Sequence, residues 1–134
     1  MSDHDRMLGL LRDLLHQHAL EVDRAIAVHG QWRSRLAEAV TSGRCEGDPA
    51  EIERDDQCEL GRWLHDLPVE SRADEGCLSV LEMHSWFHRE AGRVVKLVQE
   101  KRLDEARAAI APDSLFDVSS RQLVELLERW REAA

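Results

Sequence analysis

From Val69 to Lys101 apolar side chains return in steps of three and four, through Val80, Met83, Phe87, Ala91, Val94 and Val98. Nothing else in the chain constrains the fold as strongly, because this period fits a helix with one buried face and no strand. A looser stripe runs through Leu15, Val22, Ile26, His29, Leu36 and Val40, with Trp32 on the same face, and predicts a long helix from Asp3 to about Val40. "LDEARAAIA" reads as a shorter helix ending before Pro112. "LFDVSSRQLVELLERWREAA" offers Leu115, Val118, Leu123, Leu126, Leu127 and Trp130 for packing. With 7 Gly, 3 Pro and no Tyr in 134 residues, a many-turned β-sandwich is disfavoured. The prediction is an all-α protein: an antiparallel four-helix bundle with a short helical insertion.

The insertion lies between the two long helices. "TSGRCEGDPAEIERDDQ" carries two glycines, a proline and many charges, and reads as a loop with a helical turn after Asp48-Pro49. "CELGRWLHDLP" follows as a compact element closed by Pro68. The length suits one domain with its own core, spanning residues 15–134. Ahead of it, residues 1–14 form a helical extension whose Met7, Leu8, Leu10, Leu11 and Leu14 suit contact with a second copy of the chain.

Charge and hydropathy exclude several classes. A formal net charge of -9 disfavours nucleic acid and anionic membrane surfaces, which need clustered Lys and Arg. No apolar run approaches the roughly 20 residues of a membrane helix. "MSDHDRM" has no basic n-region, so a cytoplasmic location is expected. Three cysteines (Cys45, Cys58 and Cys77) make a disulfide framework improbable there.

One pattern in the long second helix points to chemistry. In "HSWFH", His84 and His88 are four residues apart, so their side chains leave the helix on one face, about 6 Å apart, and can share an ion. Two core histidines would give the same spacing. Ser85 follows His84, so the glutamate base of an HExxH protease is missing. Leu81, Ser85 and Ile26 stand three residues before His84, His88 and His29, so the Glu-x-x-His pairs of di-iron bundles are absent too. A nitrogen-rich site would need further ligands, for which His29 on the first helix and Cys58 in the insertion are the candidates. Three imidazoles and a thiolate suit zinc in a tetrahedron, with one net positive charge.

"HGQW" (residues 29–32), "CELGRW" (58–63) and "HSWFH" (84–88), in that order, resemble the chemoreceptor zinc-binding (CZB) domain family. Cys-x-Leu-Gly-x-Trp is the most specific of the three, and the resemblance spans about Leu15 to Trp130. It implies that His29, Cys58, His84 and His88 are zinc ligands in a 3His–1Cys site. It further implies a cytoplasmic, usually homodimeric regulatory domain working with a chemoreceptor or a diguanylate cyclase. Family members are also proposed to respond to oxidants such as hypochlorous acid through the equivalent cysteine. No methyl-accepting coiled coil or cyclase sequence accompanies the motifs, so a stand-alone module is expected.

Around the motifs, Gly61 allows a close approach after Cys58, and Leu60 and Trp63 can pin that element to the bundle. Trp32 and Phe87 read as packing. His4, His16 and His65 read as solvated, and His18 as an interior histidine near the apolar stripe. Cys45 and Cys77 read as incidental, and "EIERDD" as a solvated face able to tune the field near Cys58. Four protein ligands would leave zinc no open position for water, so an enzyme is not expected. A zinc buffer or delivery protein is the alternative to a sensor, with one site per chain giving little capacity.

Overall fold

The computed structural model describes residues 19–132, together with Asp3 and Arg6. Most of the expected extension, and His4, His16 and His18, lie outside the described residues. The described chain is helical, with no strand among its residues: α1 Ala19–Ser42, α2 Pro49–Ile52, α3 Glu59–Asp66, α4 Val69–Arg72, α5 Glu75–Gln99, α6 Leu103–Ala109 and α7 Leu115–Glu132. The all-α expectation therefore stands.

The helix expected over residues 69–101 is two helices. Asp74 takes an extended conformation and accepts from the Gly76 and Cys77 amides, so it caps α5 and ends the short α4 before it. At the other end Lys101 adopts φ 61°, outside the right-handed helical region. Within these limits most of the stripe is buried as its period requires: Val80, Phe87, Ala91, Val94 and Val98 are all at most 1% exposed, while Met83 is half-buried. Val22 and Leu36 of α1 and Leu123 and Leu127 of α7 complete the core. Burying each such aliphatic or aromatic side chain contributes about 1.5–3 kcal/mol before ordering entropy is set against it.

The helices are arranged around α5, which packs most extensively on α7 and also on α1, α2 and α6. His29 of α1 lies beside His84 and His88 of α5, while Gly43, just past α1, receives the Lys101 ammonium from just past α5 at 2.6 Å. These two helices thus run in the same direction, not antiparallel as expected, because the crossover that joins them carries α2, α3 and α4 back to the starting end. The chain then returns through α6. It enters α7 where Phe116 meets Phe87 (centroids 5.4 Å apart) and Asp117 pairs with Arg33 at 3.0 Å. Met83, Trp86, Leu115, Val118 and Gln122 share one groove, so α7 runs back along the first half of α5.

Candidate metal centre

Three of the four candidate ligands are each held by a local device of their own. His29 sits mid-way along α1 and is 2% exposed. Its Nδ1 donates to the Ala25 carbonyl one turn earlier at 2.6 Å, which leaves Nε2 as an unprotonated acceptor pointing at α5. His84 and His88 leave α5 on one face, both buried, with ring centroids 4.5 Å apart and their Nε2 atoms 3.0 Å apart. His88 Nδ1 donates to the Ile52 carbonyl at 2.9 Å. That carbonyl belongs to the last residue of α2, where no following turn of helix claims it.

Cys58 enters from the crossover as the N-cap of α3: its backbone is extended, and its Sγ accepts from the Gly61 amide at 3.3 Å. The same sulfur is 3.2 Å from His84 Nε2. Leu60 and Leu64, both buried, fix α3 against the core, and Trp63 packs beside them half-buried. Gly61 is required at its position, since a Cβ there would lie 1.7 Å from the Asp55 carbonyl oxygen. The loop before α3 is folded back onto the helix at that point.

One ligand atom from each of His29, Cys58, His84 and His88 lies within 4.8 Å of all the others. Four donors around a tetrahedral ion with bonds of about 2.0–2.3 Å stand about 3.3–3.8 Å apart, and the observed separations bracket that range. The donor chemistry fits as well as the spacing. Two of the imidazoles have their outer nitrogens tied to backbone carbonyls, so their lone pairs converge inward, as metal-bound histidines require. The set is positioned to bind a metal ion.

Electrostatics agree with that reading. Burial lowers the pKa of His29 from 6.5 to about 4, against the raising effect of its bond to Ala25, with His88 adding a smaller lowering effect. Burial, then His88 and His29, lower His84 to about 2. His88 is also lowered by burial, opposed by its bond to Ile52 and by Asp55. All three rings are held neutral, the form that ligates metal. Burial raises the Cys58 thiol above its usual range, the Gly61 and Leu60 amides oppose it, and Asp55 adds to the rise. A divalent cation is what would turn this thiol into a thiolate.

Access is narrow. A cleft of about 30 Å³, lined by Arg24, Val28, Leu60 and Trp63 among others, opens onto His29 and Cys58, with room for a water-sized solute. Arg24 and Glu59 pair at 2.6 Å at its rim.

The remaining sequence candidates fall elsewhere. Phe87 is fully buried with its ring edge-on to His29 at 4.7 Å, and Trp32 is half-buried with Arg35 stacked over it at 4.4 Å. His65 is exposed, 3.6 Å from Asp55. Cys45 is half-buried in the loop after α1, and Cys77 is completely buried at the start of α5. Sequence reasoning did not find the carbonyls of Ala25 and Ile52 as acceptors for the ligand rings. Every residue has a carbonyl, so its role carries no mark in the sequence.

Comparison of the chain with protein-family models, with curated proteins and with solved structures finds no match in any of the three.

Proposed function

We propose that this protein is a zinc-responsive regulatory module of the chemoreceptor zinc-binding kind, with His29, Cys58, His84 and His88 as the four ligands. The observation that carries the reading is the convergence of three inward-facing imidazoles and one sulfur from three separate segments. Three nitrogens and a sulfur favour zinc over harder cations such as magnesium or calcium, which take oxygen ligands. With four protein ligands the shell is closed, so the ion organises structure rather than activating water, and the protein is not an enzyme in this reading. The four-helix arrangement belongs to the same proposal, with α6 beside the three long helices. So do a cytoplasmic setting, a homodimer and a chemoreceptor or diguanylate cyclase partner. No described helix is long and apolar enough to cross a membrane.

The sensory role follows from how the ligands are distributed. Two come from α5, one from α1 and the fourth from the crossover, whose three helices are only 4 to 8 residues long. Filling or emptying the site therefore changes the hold on the crossover while α1, α5 and α7 stay packed. A small oxidant reaching the sulfur through the cleft would convert the thiolate to sulfenic acid, a poor zinc ligand, and produce the emptied state by another route.

The test is metal content and its structural effect. Purified protein should contain one zinc per chain by elemental analysis, and Cys58→Ala should lose most of it while keeping its helix content by circular dichroism. Hydrogen exchange over residues 45–66 should slow on zinc addition. Wild-type protein that takes up no zinc from a metal buffer would end the metal reading. Zinc uptake with no change in exchange would favour a buffer or delivery role over a sensor.

A further inference from the structure

The short helix α2 has no ligand in it, yet it touches the site at one atom. Its C-terminal carbonyl, Ile52 O, accepts from His88 Nδ1. What lets α2 come this close is Gly92, one turn beyond His88 on the same face of α5. A Cβ at position 92 would lie 2.3 Å from Glu53 Cγ, 2.8 Å from the Pro49 carbonyl oxygen and 3.2 Å from the Glu53 amide nitrogen. Two of those three atoms are backbone, so they cannot be turned aside by a rotamer change. Gly92 is also buried in the middle of a 25-residue helix, where glycine is a poor helix former. Helix propensity does not account for glycine at this position, and the close seating of α2 does.

We propose that Gly92 is a positioning residue for the metal centre. It provides the seat that holds α2 against α5, so that the Ile52 carbonyl fixes the His88 proton on Nδ1 and leaves Nε2 free for the ion. This rests on the metal reading above and adds the element through which occupancy is felt. A ring whose outer N–H has lost its acceptor is a weaker and less oriented ligand, typically by 10–100-fold in affinity. Linkage makes the effect reciprocal: seating α2 strengthens metal binding, and the bound metal strengthens the seating of α2 by the same factor. Asp48 supports the arrangement from the other end, since its carboxylate accepts from the Ala50 amide at 3.0 Å and caps α2.

The test compares Gly92→Ala with Gly30→Ala. Both place alanine inside a long helix, but a Cβ at Gly30 meets nothing within 4 Å. Zinc affinity is measured by competition with a chromophoric chelator. The His88 tautomer of the metal-free protein is read from long-range ¹H–¹⁵N correlations. Gly92→Ala should bind zinc 10–100-fold more weakly, lose the single Nδ1–H signature of His88, and lose the zinc-dependent slowing of exchange at residues 49–57. Gly30→Ala should match the parent in all three. Asp48→Ala, which loosens α2 without altering α5, should move the same readouts in the same direction and serves if Gly92→Ala does not fold. Parent-like affinity in Gly92→Ala, or weakened affinity with the His88 tautomer intact, would overturn the inference. Wild-type protein that binds no zinc would instead refute the function proposed above and leave the tautomer measurement to judge the seat.

Discussion

His84 stands at the centre of the cluster, with Cys58 Sγ 3.2 Å from its Nε2 and His88 Nε2 3.0 Å from the same atom. His88 carries its proton on the outer nitrogen, so the line from Cys58 through His84 to His88 needs a proton or a cation to hold its lone pairs together. Metal and protons therefore compete for one place, and acid should act on the protein in two ways. It should release metal, and it should destabilise the metal-free fold. His29 and His84 are neutral in the fold down to about 4 and about 2, whereas the unfolded chain protonates them near 6.5. The unfolded state thus binds more protons below 6.5, and stability falls as pH drops through that window, by up to about 1.4 kcal/mol per pH unit for each ring. Urea denaturation of chelator-treated protein should show a flat midpoint between about pH 7 and 8, below the range where thiols ionise, and a steep fall from pH 6.5 towards 4; a midpoint unchanged over that lower range would show the rings to be solvated. The His84–His88 pair was legible in the sequence, because i and i+4 spacing says which way two side chains leave a helix. The proton positions were not, since they depend on backbone acceptors that only the fold supplies.

Among the elements, α3 turns a cysteine into a ligand. Cys58 caps that helix, and Gly61 lets the preceding loop lie against it, so sulfur, cap and loop are one unit. Gly61→Ala should push the Asp55 backbone away, swing the sulfur out of the cluster and weaken zinc binding at least tenfold. Circular dichroism should stay close to the parent, because the clash falls on a turn residue outside every helix. Affinity equal to the parent would show that α3 does not need the close approach. The Cys-x-Leu-Gly-x-Trp spacing made this element visible beforehand, down to the glycine. The break between α4 and α5 was not visible: the apolar period is too sparse between residues 69 and 79 to distinguish one helix from two, and Asp74 as a cap decides it. α2 was legible as a turn from Asp48-Pro49, but the direction of its carbonyl towards His88 was not.

For the molecule as a whole, the core of Phe87, Val94, Leu123 and their neighbours is complete without the ion, unlike a zinc finger. Removing zinc should therefore lower the melting temperature without abolishing the cooperative transition. At free zinc one hundredfold above Kd, binding adds about 2.7 kcal/mol, which for a chain of this length is roughly 10 °C. Calorimetry with and without chelator measures it, and loss of the transition on chelation would contradict a self-sufficient core. Helical class was legible from periodicity and from the scarcity of glycine and proline. The relative direction of α1 and α5 was not, because apolar stripes fix which faces are buried and not which end of a helix lies beside which.

The shared direction of α1 and α5 brings two carboxyl-terminal helix ends together, each with a partial negative charge from its unpaired carbonyls. Lys101 lies between them: its ammonium reaches the Gly43 carbonyl, while the nearby Gln99 amide donates to the carbonyls of Cys45 and Gly47. Removing that positive charge, as acetylation would, breaks the bond to the Gly43 carbonyl and leaves the two like poles to the weaker screening of Lys96, Arg102 and Arg44. The first part of the chain to feel their repulsion is the start of the crossover, so charge at the end remote from the four donors bears on the tension in the strand that carries the sulfur.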